Sequence, residues 1–423
     1  MKYLLVNHVP FGRTAAAGAY QVGDMWLEDL RAEGRAIRAA GGQLIVATPC
    51  MDQLEQKASG SFHHVTIRPQ DEGFEYIPLP FFISMAQFLR ARRSLRAALK
   101  QAVERSTIVQ ADTGGHPVAL GQVVWPLAGA MGKRRIWAFD GADPFPRLEL
   151  YASEDRNPVR RFAKNWLVNN FRTFCRSAIQ EADLVFSHNR AVVERFKDVW
   201  SDHCYLFDRT FVTTEMLLMP DEAAARKSAL LAGGPLRLVA VGRQIKIKAT
   251  DHVLQAMAIA RRAGADLELD VLGDGEDLPA FKSLAQQLGL TDKAHFLGTI
   301  PYGRQLYDVM KRSHVLAITN LTAEISRNVM LGMALGLPLI IYRNAGTDGV
   351  IEESGAGTLV PCGDVDALAA AFIGAAKDRQ LLARQIDLGL ATAKLKTLDA
   401  CHEQRISVVC SRLLQSQKVT QAS

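Results

Sequence analysis

The chain has only six cysteines in 423 residues (Cys50, Cys175, Cys204, Cys362, Cys401 and Cys410), and no two of them form a C-x-x-C pair. That scatter excludes a disulfide framework and a zinc ribbon, and fits reduced thiols packed as small apolar side chains. Long hydrophobic runs are missing too. The longest, Val329 to Tyr342, is 14 residues and holds Pro338, short of the roughly 18–20 that a membrane-crossing helix needs. The apolar stretch Tyr3–Val6 is too short for the core of a secretion signal and no small-residue cleavage site follows it, so a cytoplasmic chain is expected. Tryptophan is absent from the second half, since all five (26, 125, 137, 166 and 200) come early. Halves that differ in this way are not an internal repeat.

Apolar residues make up 48% and charged residues 22%, close to the roughly 45–50% and 25% of average globular proteins, which excludes disorder and collagen-like repeats. The length is enough for two or three domains of roughly 150 residues each. A net charge of +6 favours acidic partners but is too small to mark a nucleic-acid binder, and none is expected.

Short β-rich runs alternate with helical stretches: Tyr3–Val6, Leu44–Ala47, Thr107–Val109 and Ile136–Phe139, then Leu236–Val241, Leu267–Leu272, Val315–Ile318 and Leu337–Tyr342. This rhythm predicts βα units on parallel sheets. It breaks between about Phe211 and Pro235, where Met219-Pro220-Asp221 and Gly233-Gly234-Pro235 flank an Ala-rich helix. The expected domains are 1–215, 216–400, and a tail at 401–423 packing back towards the first.

Two windows concentrate positive charge. Arg90, Arg92, Arg93, Arg96, Lys100 and Arg105 face only Glu104, and Arg156, Arg160, Arg161, Lys164, Arg172 and Arg176 face no acid. Apolar residues Phe81, Phe82, Ile83, Phe88 and Leu89 lead into the first window. Residues 81–105 and 156–176 therefore read either as contacts with an anionic membrane surface or as solvated helix faces near an anionic substrate.

Strand Leu236–Val241 runs into Gly242-Arg243, with Lys248 five residues on. A glycine after a strand admits a ligand close to backbone, and the two cations offer forked and point-like charge for phosphate oxygens. After Val315–Ile318 comes a polar loop, then Glu324, and Ser326-Arg327-Asn328 opens an apolar helical run ending at Gly336 and Pro338. In an α/β crevice such a strand–loop–helix binds anions at the sheet's carboxyl edge. Glu324 reads as a group for hydroxyls or as a carboxylate favouring a helix start.

The ordered set Val241-Gly242-Arg243…Lys248, Leu272-Gly273-Asp274-Gly275, Phe296-Leu297-Gly298, Glu324…Asn328-Val329, Met333-Ala334-Leu335-Gly336-Leu337-Pro338 and Gly355-Ala356-Gly357 resembles the nucleotide-sugar domain of glycosyltransferase family 4. The first half is similar to that family's N-terminal domain at Gly12 and at Glu181-Ala182-Asp183-Leu184-Val185. The resemblance implies an α/β GT-B fold, two Rossmann-like parallel-sheet domains facing across a cleft. It implies a metal-independent, retaining hexosyltransferase that needs no cofactor and uses a nucleotide diphosphate sugar as donor substrate. Arg243 and Lys248 would hold the diphosphate and stabilise it as it leaves, and Glu324 would touch the donor sugar. The amides of Asn328 and Val329 would hold phosphates, Gly12 and Gly242 would let backbone approach the donor, and Gly298 would lie near the base. The implied acceptor is a lipid-linked saccharide or glycolipid of bacterial surface-polysaccharide synthesis, met at the inner face of the cytoplasmic membrane.

Three positions depart from the family. The second glutamate, expected eight residues after the first, is Gly332; the first-domain His-Gly is Asp140-Gly141; and the Lys-Gly pair is Lys248-Ala249. Asp140 could orient an acceptor hydroxyl, contact the donor sugar, or be a loop carboxylate before Gly141. The alternative function is a catalytically impaired GT-B pseudoenzyme serving as scaffold or subunit, with an epimerase or phosphorylase as a third reading. Asp364-Val365-Asp366 reads as a helix cap, not as a metal site. Gly129-Ala130-Met131-Gly132-Lys133-Arg134 lacks the spacing and the Ser/Thr of a P-loop, and no G-x-G-x-x-G follows the first strand. His116, after Gly114-Gly115, is a further cleft candidate.

Overall fold

Two sheets account for the alternating pattern. The computed structural model describes residues 1–54, 63–115, 117–140, 143–208, 210–322, 326–344, 347 and 349–414. One unit spans Thr210–Leu398, and the residues before and after it form the other; the sequence reading sets these divisions at 215/216 and 400/401.

The first unit holds β1 (Lys2–Val6), β2 (Phe11–Arg13), β3 (Tyr20–Gly23), β4 (Gln43–Met51), β5 (His64–Ile67), β6 (Phe74–Pro80), β7 (Ile108–Asp112), β8 (Arg134–Phe139), β9 (Leu184–Ser187) and β10 (Cys204–Leu206). Their order is β10-β9-β8-β7-β1-β4-β2-β3-β5, with β6 on β4. From β10 to β4 every pairing is parallel, and the inner strands β9, β8, β7, β1 and β4 are largely buried on both faces, as crossover helices require, while β10 is the exposed edge. The edge corrects the expectation of a wholly parallel sheet: β3 runs antiparallel to both β2 and β5. These are strands of three or four residues, and no periodicity can show in so few positions.

The second unit's sheet contains β11 (Leu236–Val241), β12 (Leu267–Leu272), β13 (Ala294–Gly298), β14 (Val315–Ile318), β15 (Leu339–Tyr342) and β16 (Gly357–Val360). They run in the order β13-β12-β11-β14-β15-β16, all parallel. β11, β12 and β14 have the predicted bounds; β15 starts at Leu339, because Pro338 has no amide to give the ladder. Strand order reverses at β11/β14, the switch point where such sheets open a crevice at their carboxyl ends. Asp364 caps its helix, accepting from Ala367 N at 2.8 Å.

Helix Leu398–Val409 returns to the first unit, where Ile406, Val409 and Leu413 join Tyr3, Leu5 and Phe186 in one core. It also carries buried charge. The Arg405 guanidinium lies 3.3 Å from Gln110 Oε1, 3.8 Å from Asp140 Oδ1 and 5.3 Å over the Phe186 ring. Tyr3 Oη donates to the same Gln110 oxygen at 2.5 Å. His402 Nε2 meets Asp29 Oδ1 at 3.0 Å. Burial pushes the Glu33 carboxyl up, against the pull of His402 and Arg405. Burial acts against the Arg405 cation, and the groups around it, Asp140 and Glu33 first and then Tyr3 and Asp29, together outweigh it. Removing that cation takes the guanidinium from Asp140 and Glu33 and leaves His188 and His402 beside those carboxylates. Arg405→Met should therefore lower the stability of the first unit by about 3–5 kcal/mol in urea denaturation followed by Trp fluorescence. An unchanged midpoint would show that the network does not hold the helix.

Candidate functional site

At the carboxyl edge of the second sheet, the loops after β11, β12 and β13 are bonded to one another through their backbones. Gly242 N donates to Leu272 O at 3.0 Å, Gln244 N to Asp274 O at 2.9 Å, and Gly273 N to Gly298 O at 2.7 Å. Glycine is needed for this approach. A Cβ on Gly273 would stand 2.0 Å from Gly242 O, and one on Gly275 would stand 2.2 Å from Gln244 O. Gly242 itself has φ 151° and Gly298 φ 70°, and an added Cβ on either would meet nothing within 4 Å. Those two backbone positions are open to a ligand.

Arg243 follows as an exposed side chain with no partner among the described residues. Lys248 ends a short turn, Lys246–Lys248, before helix Thr250–Arg262. Ala249 between them is left-handed at φ 50°, the one non-glycine residue so placed among the described residues. That conformation costs about 1–2 kcal/mol for an L-residue. The Thr319 hydroxyl holds it, meeting Lys248 O at 2.8 Å and Ala249 O at 3.1 Å. A pocket opens between β11 and β14, lined by Gly242, Gln244, Lys248, Thr250, Thr319 and Asn320 among others. Cations, an open glycine and backbone at a switch point suit a phosphate group.

The structure thus brings Gly242, Lys248 and Gly298 to one sheet edge, with Arg243 beside them. Asn328 reaches the same edge by donating Nδ2 to Val241 O at 2.8 Å. Its amide and that of Val329 donate to Ser326, at Oγ (3.3 Å) and O (3.0 Å). The Val329 side chain is buried in the core with Leu316 and Leu339. Glu324 and His116 lie outside the described residues. Gly332 is buried, and a Cβ there would stand 2.7 Å from Leu316 Cδ2 and 2.8 Å from Leu339 Cδ2. Its face of helix Asn328–Ala334 therefore looks into the sheet, so a glutamate at this position, where the family carries its second one, would meet Leu316 and Leu339.

In the first unit Gly12 lies within β2, and an added Cβ would stand 2.6 Å from Leu54 Cβ. That close packing accounts for a glycine there. Asp140 follows β8; its Oδ1 is 3.4 Å from His188 Nε2 and its Oδ2 accepts from Gln110 Nε2 at 3.4 Å. One residue pair escapes the sequence reading. His8, just beyond β1, places Nδ1 3.2 Å from Oδ2 of Asp112, the last residue of the neighbouring β7. Asp112 is buried and also accepts from Asn7 Nδ2 and Gly114 N, both at 3.0 Å. The His8 side chain is 47% exposed. A carboxylate only accepts, so Nδ1 carries the hydrogen and the neutral ring keeps its lone pair on Nε2. The clue in the sequence is two polar residues at the carboxyl ends of adjacent parallel strands, visible only once β1 is paired with β7.

Residues 221–389 match the family model described as glycosyl transferases group 1. The amylovoran biosynthesis glycosyltransferase AmsK of Erwinia amylovora is 27% identical over 145 residues, 33% of this chain and 35% of that protein. The 2-deoxystreptamine glucosyltransferase of Streptomyces kanamyceticus is 30% identical over 123 residues, 29% of this chain and 30% of that one. The chain thus spans about a third of the curated relatives it matches. Among solved structures, Anabaena Alr3699/HepE in complex with UDP superposes with a TM-score of 0.66 at 14% identity, over 98% of this chain and 100% of that one. WaaG, a glycosyltransferase involved in lipopolysaccharide biosynthesis, gives 0.59 at 14% identity, over 96% and 98%. The fold is GT-B, with two Rossmann-like units, and the group 1 glycosyltransferase pattern lies in the second.

Because Gly332 faces Leu316 and Leu339, Gly332→Glu should bury a carboxylate without a partner and cost about 3 kcal/mol or more, read by urea denaturation. Unchanged stability with tighter nucleotide binding would instead put that position at the ligand.

Proposed function

We propose that this chain is a glycosyltransferase that moves a hexose from a nucleotide diphosphate sugar, held by the second unit, to a hydroxyl of a lipid-linked saccharide or glycolipid. The observation that carries this reading is the phosphate-suited edge, with Gly242, Arg243 and Lys248 at the β11/β14 switch point, inside the segment that matches the family model. The HepE complexes with UDP and with UDP-glucose support a donor of this class. Relatives named for amylovoran, exopolysaccharide and lipopolysaccharide synthesis support a surface-polysaccharide role.

In this proposal Arg243 and Lys248 neutralise the diphosphate as the bond to the anomeric carbon breaks, a task for positioned cations that needs no metal. The acceptor attacks from the face the diphosphate leaves. The diphosphate takes the acceptor's proton, and configuration is retained.

The acceptor side of the proposal places the first unit at an anionic membrane surface. Helix Pro158–Glu181 exposes Val159 and Phe162 (75% each), Trp166 (58%) and Leu167 (50%). The first three follow i, i+3, i+7 spacing, so they share a face, and Arg160 and Arg161 flank it, both exposed. Leu150 and Tyr151 of helix Pro144–Ser153 add exposed apolar surface, as do Ile83 and Leu89 at the start of helix Met85–Arg105. An apolar stripe beside Arg side chains suits shallow insertion between anionic headgroups. Among the described residues no helix is long and apolar enough to cross a membrane.

Calorimetric titration with UDP, GDP, ADP and dTDP should show one saturable ligand, with affinity falling at least tenfold in Arg243→Ala and in Lys248→Ala. Absence of binding by all four would leave the scaffold reading. The protein should float with phosphatidylglycerol vesicles but not with phosphatidylcholine ones, and Phe162→Asp with Trp166→Asp should abolish flotation. Equal flotation of that double variant would remove the helix from the membrane contact.

A further inference from the structure

The polar side chains lining the second unit's pocket can be accounted for one by one. Gln244 is buried and fully engaged: Nε2 donates to Gly242 O (2.8 Å) and Leu272 O (3.2 Å), and Oε1 accepts from Thr250 Oγ1 at 2.8 Å. The Thr319 hydroxyl is engaged with Lys248 O and Ala249 O. Asn320 is different. It is 6% exposed, directly after Thr319 at the carboxyl end of β14, and its Nδ2 has no hydrogen-bond partner among the described residues. Thr322 Oγ1, two residues on, is likewise without one. The loop does not collapse onto these groups, because Leu321 N is tied to Ile247 O at 2.9 Å.

Leaving a buried amide unpaired is costly, and native proteins keep few such groups. An NH2 group only donates, so whatever satisfies it is an acceptor. Lys248 and the open backbone of Gly242 line the same pocket, and among the six polar or glycine lining positions named above none is a carboxylate. The shared chemistry is that of an oxygen-rich anion.

We propose that Asn320 is a phosphate-binding residue of the donor site, its Nδ2 donating to an oxygen of the nucleoside diphosphate beside Lys248. This inference rests on the donor-binding reading above and adds to it a side chain from β14, on the far side of the switch point from Gly242. Asn320 fixes the diphosphate by direction where Lys248 fixes it by charge.

The test is calorimetry on the full chain with UDP, GDP, ADP, dTDP and inorganic pyrophosphate, for wild type, Asn320→Ala and the isosteric Asn320→Asp, with thermal midpoints recorded for each. The expected result is a loss of at least tenfold in affinity in Asn320→Ala for the nucleotide the wild type binds, and the same ratio for pyrophosphate. Asn320→Asp, which turns a carboxylate on the anion, should lose at least a hundredfold, with its midpoint near that of the wild type. If Asn320→Ala fails to fold, Asn320→Asp carries the comparison. Affinities within twofold of wild type would overturn the inference and assign Nδ2 to a buried water. A loss for the nucleotide with none for pyrophosphate would overturn it too, since the contact would then be with the base or ribose. A wild type that binds none of the five would overturn the donor-binding reading itself, and Asn320 with it.

Discussion

Everything at the candidate site depends on how closely two backbones approach. Between the loops after β11 and β12 there is no room for a side chain, since a Cβ on Gly273 would stand 2.0 Å from Gly242 O. The approach lets Gly242, Gln244 and Gly273 bond across three loops, leaving the open backbone of Gly242 and the cations after it on a rigid edge. A site built on bonded strand ends keeps its geometry before a ligand arrives, which is what electrostatic stabilisation of a leaving diphosphate requires. The strain at Ala249 belongs to the same construction: its left-handed turn sets Lys248 against β14, and the Thr319 hydroxyl keeps it there.

The first unit solves a different problem. Its sheet is held at one end by a helix from the far end of the chain, and the joint between them is ionic as well as apolar. Arg405 reaches Gln110 and Asp140 in the interior, so the polar groups at the end of β8 are positioned by a residue 265 positions later in the sequence. Asp140 is therefore tied to Arg405 and His188, while the neighbouring strand ends hold His8 against buried Asp112. Two His–carboxylate pairs, His8–Asp112 and His188–Asp140, stand at the carboxyl ends of this sheet's strands.

Much of this was legible in the sequence, for physical reasons. Strand β14 is buried at every position and reads as a continuous apolar run, while β11 and β12 show apolar residues interrupted by Arg237, Glu268 and Asp270, so all three could be bounded from the sequence. Glycines at φ values forbidden to other residues marked the loops that bear the phosphate-suited edge. The strands β2, β3 and β5 were not legible, because three or four residues at a sheet edge carry no period. Neither was the His8–Asp112 pair, whose partners are 104 residues apart and meet only through strand pairing. Nor was the inward packing of Gly332, since counting residues along a helix does not say which face looks into the sheet; Leu316 and Leu339 do.

Amide hydrogen exchange tests the central claim, that the Gly242–Ala249 loop is a ready-made diphosphate site. Exchange would be followed across both units with and without a saturating mixture of UDP, GDP, ADP and dTDP. Protection that rises over residues 242–250 and 319–322, with the first unit's β1 and β7 unchanged, is the predicted result. Unaltered exchange over residues 242–250, or protection confined to the first unit, would contradict it.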